Sequence, residues 1–132
     1  MSINENLNIL VVDDSPTMRR VVVKALFDEG LKNVTEADDG TTAWQKMEIP
    51  REEKDKFQLI ILDWNMPKMN GIDFLKKLRE DEQNKSIKVL MLTAEAKKDN
   101  VLAAIKSGVN GYIVKPFDAK TLIDKLKQMF PV

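Results

Sequence analysis

At 132 residues the chain is long enough for one hydrophobic core, and residues 1–132 are expected to form a single domain. Its 21 basic and 21 acidic residues balance, which gives no support to generic nucleic-acid binding. It has no cysteine and no histidine, so disulfides, thiol ligands, phosphohistidine and imidazole bases are excluded, and any metal must be held by oxygen.

No apolar run approaches the ~20 residues that span a bilayer. Residues 1–6 lack the basic start and apolar core of a secretory leader, so a cytoplasmic protein is expected, with no membrane insertion. Charge is distributed unevenly, because residues 95–132 hold seven lysines against four acids. That excess reads either as a solvated surface or as a surface that steers an acidic partner.

Residues 8–12 read as the first strand, ending at Asp13-Asp14. Ser15-Pro16 then supplies an N-cap and a proline at the first helical position. Met18, Val22, Ala25 and Glu29 share one side of the helix that follows, Val21 and Leu26 widen its apolar stripe, and Gly30 stops it. Val34–Ala37 is a weaker strand closed by Asp38-Asp39-Gly40. A short helix turns Ala43, Trp44 and Met47 inward and ends before Pro50. Residues 51–56 are all charged and are expected to be an exposed loop.

The third strand, Leu59-Ile60-Ile61-Leu62, runs into Asp63, and residues 66–71 form a loop. Ile72, Leu75 and Leu78 mark the third helix. Val89-Leu90-Met91-Leu92 runs into Thr93, and the next helix carries Val101, Leu102 and Ile105 before Gly108 closes it. Gly111–Val114 is the fifth strand and runs into Lys115-Pro116, where a cis bond fits a tight turn. The last helix puts Leu122, Leu126 and Met129 on one stripe, with Ile123 and Phe130 beside it.

Strands that alternate with helices imply right-handed crossovers and a parallel sheet covered on both faces. In such sheets ligands bind at the carboxyl ends of the strands, where the winding reverses. Asp13, Asp14, Asp63, Thr93 and Lys115 all stand at those ends. Each has a plainer reading alone: a turn-and-cap pair for the two aspartates, a β-branched strand residue for Thr93, a solvated cation for Lys115. Together they read as a phosphoryl site. Three carboxylates repel, and one lysine does not neutralise them. A hard divalent cation such as Mg2+ does, while leaving room for a phosphate oxygen. One carboxylate can then attack phosphorus to form an acyl phosphate, with the lysine and the threonine hydroxyl on the phosphoryl oxygens.

The strings that carry these residues are Val11-Val12-Asp13-Asp14 with Thr17-Met18-Arg19-Arg20, Asp63-Trp64-Asn65-Met66-Pro67 with Asn70-Gly71, Thr93-Ala94-Glu95-Ala96-Lys97-Lys98, and Gly111-Tyr112-Ile113-Val114-Lys115-Pro116-Phe117. From about Asn8 to Phe130 the chain resembles the receiver domain of two-component response regulators, and within that family the stand-alone chemotaxis receivers. The resemblance implies a doubly wound (βα)5 flavodoxin-like α/β fold with strand order 2-1-3-4-5. It makes Asp63 the phosphoacceptor. Asp13, Asp14, Asp63 and the backbone carbonyl of Asn65 would hold Mg2+, Asp14 directly and Asp13 through water. Thr93 and Lys115 would sense the phosphoryl group, and Tyr112 would be the aromatic switch. Asn65 and Glu95 would tune the lifetime of the acyl phosphate. Lys97 and Lys98 are either phosphatase contacts or solvated helix lysines, and with Tyr112 and Lys120 they would form the partner surface.

The function so implied is a monomeric phosphorylation-activated switch rather than an enzyme with its own substrate, although it assists its own Mg2+-dependent phosphorylation and autodephosphorylation. A histidine kinase would supply the phosphoryl group, and the flagellar motor switch would be the target. Too few residues follow Phe130 for an output domain. A stand-alone receiver passing phosphate along a relay is the alternative. Two further rivals are an aspartyl phosphatase, which would want an acid where Asn65 stands, and a flavin carrier of the same sheet order. The stretch 51–56 lengthens the connection before the third strand beyond the family's usual loop.

Overall fold

The apolar runs form the middle of one sheet. In a computed structural model, residues 6–64, 71–94 and 98–130 are described, without the side chains of Glu53 and Lys98. The elements alternate as β1 (Ile9–Val12), α1 (Pro16–Asp28), β2 (Val34–Ala37), α2 (Gly40–Glu48), β3 (Leu59–Asp63), α3 (Gly71–Glu80), β4 (Lys88–Thr93), α4 (Lys98–Lys106), β5 (Gly111–Val114) and α5 (Ala119–Met129). All strands pair in parallel, in the order β2-β1-β3-β4-β5. Every residue of β1 and β3 is buried, as continuous apolar strands in a doubly covered sheet should be.

Side-chain alternation divides the core in two. Ile9, Val11, Leu59, Ile61, Leu90 and Leu92 point to the face covered by α1 and α5, where they meet Val22, Leu26, Leu122 and Leu126. Leu10, Val12, Ile60, Leu62, Val89 and Met91 point to the other face and meet Ala43, Phe74, Leu75, Leu78 and Ala104 of α2, α3 and α4. Burying a side chain of this size contributes roughly 1.5–3 kcal/mol. Among the described residues no helix is long and apolar enough to cross a membrane.

Helix starts follow the expected chemistry. Ser15 Oγ accepts from the Met18 N–H with Pro16 at the first turn, Asp39 Oδ1 accepts from Thr42 N–H, and Asp118 Oδ1 from Thr121 N–H. Such caps are each worth about 1 kcal/mol. Gly30, at φ 84°, takes the left-handed conformation that ends α1, and Leu31 N–H returns to the Leu26 carbonyl.

One expectation is corrected. Val21 is half exposed, because it sits about 100° round α1 from Val22 and falls outside the buried arc. In α4 the buried residue is Ala104, whereas Leu102 and Ile105 face outward, Ile105 at 56% exposure. As expected, the charged stretch 51–56 is a connection between α2 and β3, with Glu52 and residues 54–56 exposed. It contains a single 3-10 turn over Glu53–Asp55, and Asn8 Nδ2 donates to the carbonyls of Lys54 and Lys56. At its start the Arg51 guanidinium lies 4.5 Å over the Phe57 ring and Nη1 donates to Lys46 O.

At the amino-terminal edge of the sheet Arg79 gathers several loops. Its guanidinium donates to the carbonyls of Gly108, Lys85 and Ile87 and to Asn110 Oδ1, at 2.6–3.0 Å. Asn110 Oδ1 also accepts from Val89 N–H at 2.8 Å. The turn after α4 is thereby fixed to the start of β4.

Candidate functional site

Register brings the polar residues to one edge. Val12 of β1 is level with Leu62 of β3, so Asp13 emerges beside Asp63. Asp63 is level with Leu92, and Thr93 with Val114, so Thr93 and Lys115 follow one strand and two strands on. The ladders run past the strand ends: Asp13 N–H donates to Ala37 O at 3.1 Å and Lys115 N–H to Thr93 O at 2.8 Å. The Lys115–Pro116 bond is cis. Because β1 lies between β2 and β3, Asp13 and Asp63 flank the point where the winding reverses.

Asp13, Asp14 and Asp63 each offer a carboxylate oxygen within 4.8 Å of the others. Asp13 and Asp63 are buried and Asp14 is exposed, so the two consecutive acids differ as expected from their alternate directions. Lys115 Nζ lies 3.1 Å from Asp13 Oδ2 and 3.4 Å from Asp63 Oδ1. Asp13 Oδ1 accepts from Ser15 N–H at 2.9 Å, which ties the acid to the start of α1. Burial pushes the Asp63 carboxyl above its ordinary 3.8, and Asp13 pushes it further. Lys115 opposes that rise through its charge and its hydrogen bond, and Asp14 adds to it. The pocket is therefore short of positive charge. Its donors are carboxylate oxygens, the chemistry that suits a hard divalent cation, and these residues could hold one.

Thr93 is fully buried at the end of β4. Tyr112 is half-buried on β5 and packs against the face covered by α2, α3 and α4. Lys120 stands apart from the pocket in the first turn of α5, exposed and ion-paired with Asp124 at 2.8 Å. Asn65, Glu95 and Lys97 lie outside the described residues, as does the side chain of Lys98. Gly71, at the start of α3, packs against the backbone after β3: its N–H donates to Trp64 O at 2.9 Å, and a Cβ there would collide with the Asp63 carbonyl oxygen. A cleft of about 600 Å3 between α2 and the loops before β3 and β4, lined by Trp44, Arg51 and Phe57, is at the opposite edge and takes no part in this site.

Arg19 was not singled out for the pocket from sequence, yet it reaches the pocket's frame. Its Nη1 donates to the Asp13 carbonyl at 2.5 Å and its Nε to Glu36 Oε1 at 3.2 Å. Besides its place in the Thr17-Met18-Arg19-Arg20 string, the sequence sign was an arginine in the first turn of a helix, where the dipole does not favour a cation.

A doubly wound parallel sheet with an acid cluster, a buried threonine and a bridging lysine at its switch point defines an α/β domain whose site suits a hard divalent cation. Residues 9–127 match the response regulator receiver domain, and the chain belongs to that family. It is 52% identical over 128 residues to chemotaxis protein CheY-3 of Vibrio cholerae, covering 97% of this chain and 95% of that one. It is 48% identical over 124 residues to CheY of Pseudomonas aeruginosa, covering 94% and 96%. Among solved structures, V. cholerae CheY4 superposes with a TM-score of 0.82 at 36% identity, over 93% of this chain and 98% of that one. The CheX–CheY–BeF3–Mg2+ complex of Borrelia burgdorferi gives 0.86 at 28% identity, over 96% and 90%. The chain is thus a receiver homologous to chemotaxis proteins, and the strand order implied by the resemblance is the one observed.

Proposed function

We propose that the chain is a cytoplasmic, phosphorylation-activated chemotaxis switch that accepts a phosphoryl group on Asp63 from a histidine kinase and signals by docking. The observation that carries this reading is the buried Asp63 carboxylate held 3.4 Å from Lys115 beside two further acids. A carboxylate kept partly desolvated beside a cation is available as a nucleophile. Asp63 attacks phosphorus, a P–O bond forms as the P–N bond to the donor imidazole breaks, and the product is an acyl phosphate.

Asp13, Asp14, Asp63 and the Asn65 carbonyl are the residues that would hold Mg2+. When bound, Mg2+ supplies charge neutralisation at the phosphoryl oxygens. A relative from Borrelia burgdorferi was solved with BeF3 and Mg2+, which supports that ion here. The Lys115 ammonium moves from bridging two carboxylates to meeting a phosphoryl oxygen, and the Thr93 hydroxyl meets another. Tyr112 follows Thr93 and carries the change to the surface. Asn65 and Glu95 would set how long the acyl phosphate lasts.

The surface read by the target is α4, β5 and α5. Leu102, Ile105 and Val114 give it exposed apolar contacts and Lys120 gives it positive charge, to which Lys97 and Lys98 would add. An acidic peptide with apolar anchors, such as a segment of the flagellar motor switch, fits that composition. Lys97 and Lys98 also suit a phosphatase contact. The response is a population shift, so the partner must prefer the phosphorylated conformer by a few kcal/mol.

Incubation with Mg2+ and acetyl phosphate, followed by intact-mass measurement, tests the reading. One base-labile phosphoryl adduct is expected, lost in Asp63→Asn. No adduct in protein shown to bind Mg2+ would overturn it.

A further inference from the structure

Arg19 lies in the first turn of α1, and its side chain is only 18% exposed although the residue is charged. Instead of pointing into solvent, the guanidinium folds back over the end of β1. Nη1 donates to the Asp13 carbonyl at 2.5 Å, while Nε donates to Glu36 Oε1 on β2 at 3.2 Å. The planar fork is therefore held at two points, one on each neighbouring strand. The Asp13 carbonyl belongs to the peptide that joins Asp13 to Asp14. Every other polar group of Asp13 is also fixed, its N–H by Ala37 O, Oδ1 by Ser15 N–H and Oδ2 by Lys115. Asp14 is different. It is exposed, and Arg19 holds the peptide plane from which its carboxylate departs.

We infer that Arg19 is a positioning residue for the acid pair, clamping the Asp13–Asp14 peptide so that the exposed Asp14 carboxylate points toward a divalent cation shared with Asp13 and Asp63. This rests on the metal-binding reading of the site. Charge and position pull in opposite directions, which makes the inference sharp. As a nearby cation alone, Arg19 would repel a divalent ion, and its removal would tighten binding. As a clamp, its removal loosens Asp14 and weakens binding.

Calorimetric titration of Mg2+ into the wild type, Arg19→Gln and Arg19→Lys separates the two, with thermal unfolding as the check on folding. Lysine keeps the charge but not the rigid fork that reaches two acceptors. Residues that orient metal ligands typically alter affinity by 10–100-fold, so both variants should bind Mg2+ about tenfold more weakly. Tighter binding in Arg19→Gln with wild-type affinity in Arg19→Lys would reduce Arg19 to a charge and overturn the inference. Wild-type affinity in both would also overturn it. If Arg19→Gln does not fold, Arg19→Lys decides alone. Absence of Mg2+ binding by the wild type is a separate outcome that removes the metal reading itself.

Discussion

The Lys115 ammonium and the Asp63 carboxylate face each other at 3.4 Å across the sheet edge, although 52 residues separate them in sequence. The contact is longer than the 3.1 Å between Lys115 and Asp13, so the lysine leans toward the acid that is not the proposed nucleophile. That asymmetry suits a cation that must restrain Asp63 without neutralising it and must be able to turn toward an incoming phosphoryl oxygen.

Replacing Lys115 by methionine keeps the stem and removes the charge. Both influences that lower the Asp63 pKa come from Lys115, so the Asp63 titration should move further upward. Carboxyl-carbon NMR across a pH series would register the shift. Loss of a charged donor aimed at the reacting group commonly costs about 100-fold or more in rate, and adduct formation from acetyl phosphate should fall by about that factor. An unchanged rate would remove Lys115 from the chemistry.

Asp63→Asn should stabilise the metal-free protein at neutral pH. The sign follows from the raised carboxyl. Below 3.8 Asp63 is protonated in both states and carries no penalty. As pH rises past 3.8 the unfolded chain releases its proton while the folded chain retains it, so stability falls through the window up to the folded value and stays lower above it. The amide escapes that loss. A higher Tm than that of the wild type is therefore expected near pH 7. Near pH 3 the two proteins should unfold together. Equal Tm at both pH values, in the presence of chelator, would contradict the charge-deficient pocket.

The ends of the strands were legible because each apolar run and the polar residue that stops it are neighbours in sequence. Register then needs only equal strand starts to bring Asp13 and Asp63 level. Strand order was not legible in the same way, since pairing β1 between β2 and β3 is a long-range choice that came only through the family likeness. Helical spacing gave the width of the apolar arc on α1 but not its centre, so Val21 read as part of the stripe yet is half exposed, and on α4 it is Ala104 that faces the sheet. Arg19 and Arg79 were missed for another reason. Most of their acceptors are backbone carbonyls, and a carbonyl leaves no mark in a sequence.

Mg2+ should stabilise the folded state by mass action, because the three carboxylates converge only there. At a hundred times the dissociation constant the gain is about 2.7 kcal/mol, or roughly ten degrees in Tm. Chelator should reverse it. Asp14→Asn should abolish most of the effect, and protonation of the acids at low pH should do the same. A Tm insensitive to Mg2+ at neutral pH would argue against a metal held by this cluster.

Arg79 offers a prediction separate from the site. Its guanidinium satisfies three carbonyls and Asn110 Oδ1 where the turn after α4 meets the start of β4. Burial lowers its pKa, so the charge is held at some desolvation cost and is retained for the bonds it makes. Arg79→Met leaves acceptors unmatched and removes the tie between Gly108 and the loop before β4. Hydrogen bonds to charged groups contribute about 1.5–3 kcal/mol each but do not add, so a total loss of about 2–4 kcal/mol is expected in urea unfolding. Gly108→Ala should be destabilising for a related reason, since its φ is 98° and a Cβ would meet Arg79 Nε at 2.9 Å. The clamp lies at the edge opposite Asp63, so Arg79→Met that remains folded should still form the acetyl-phosphate adduct at close to the wild-type rate. A large fall in that rate without a fall in stability would mean that the turn after α4 is coupled to the acid pocket.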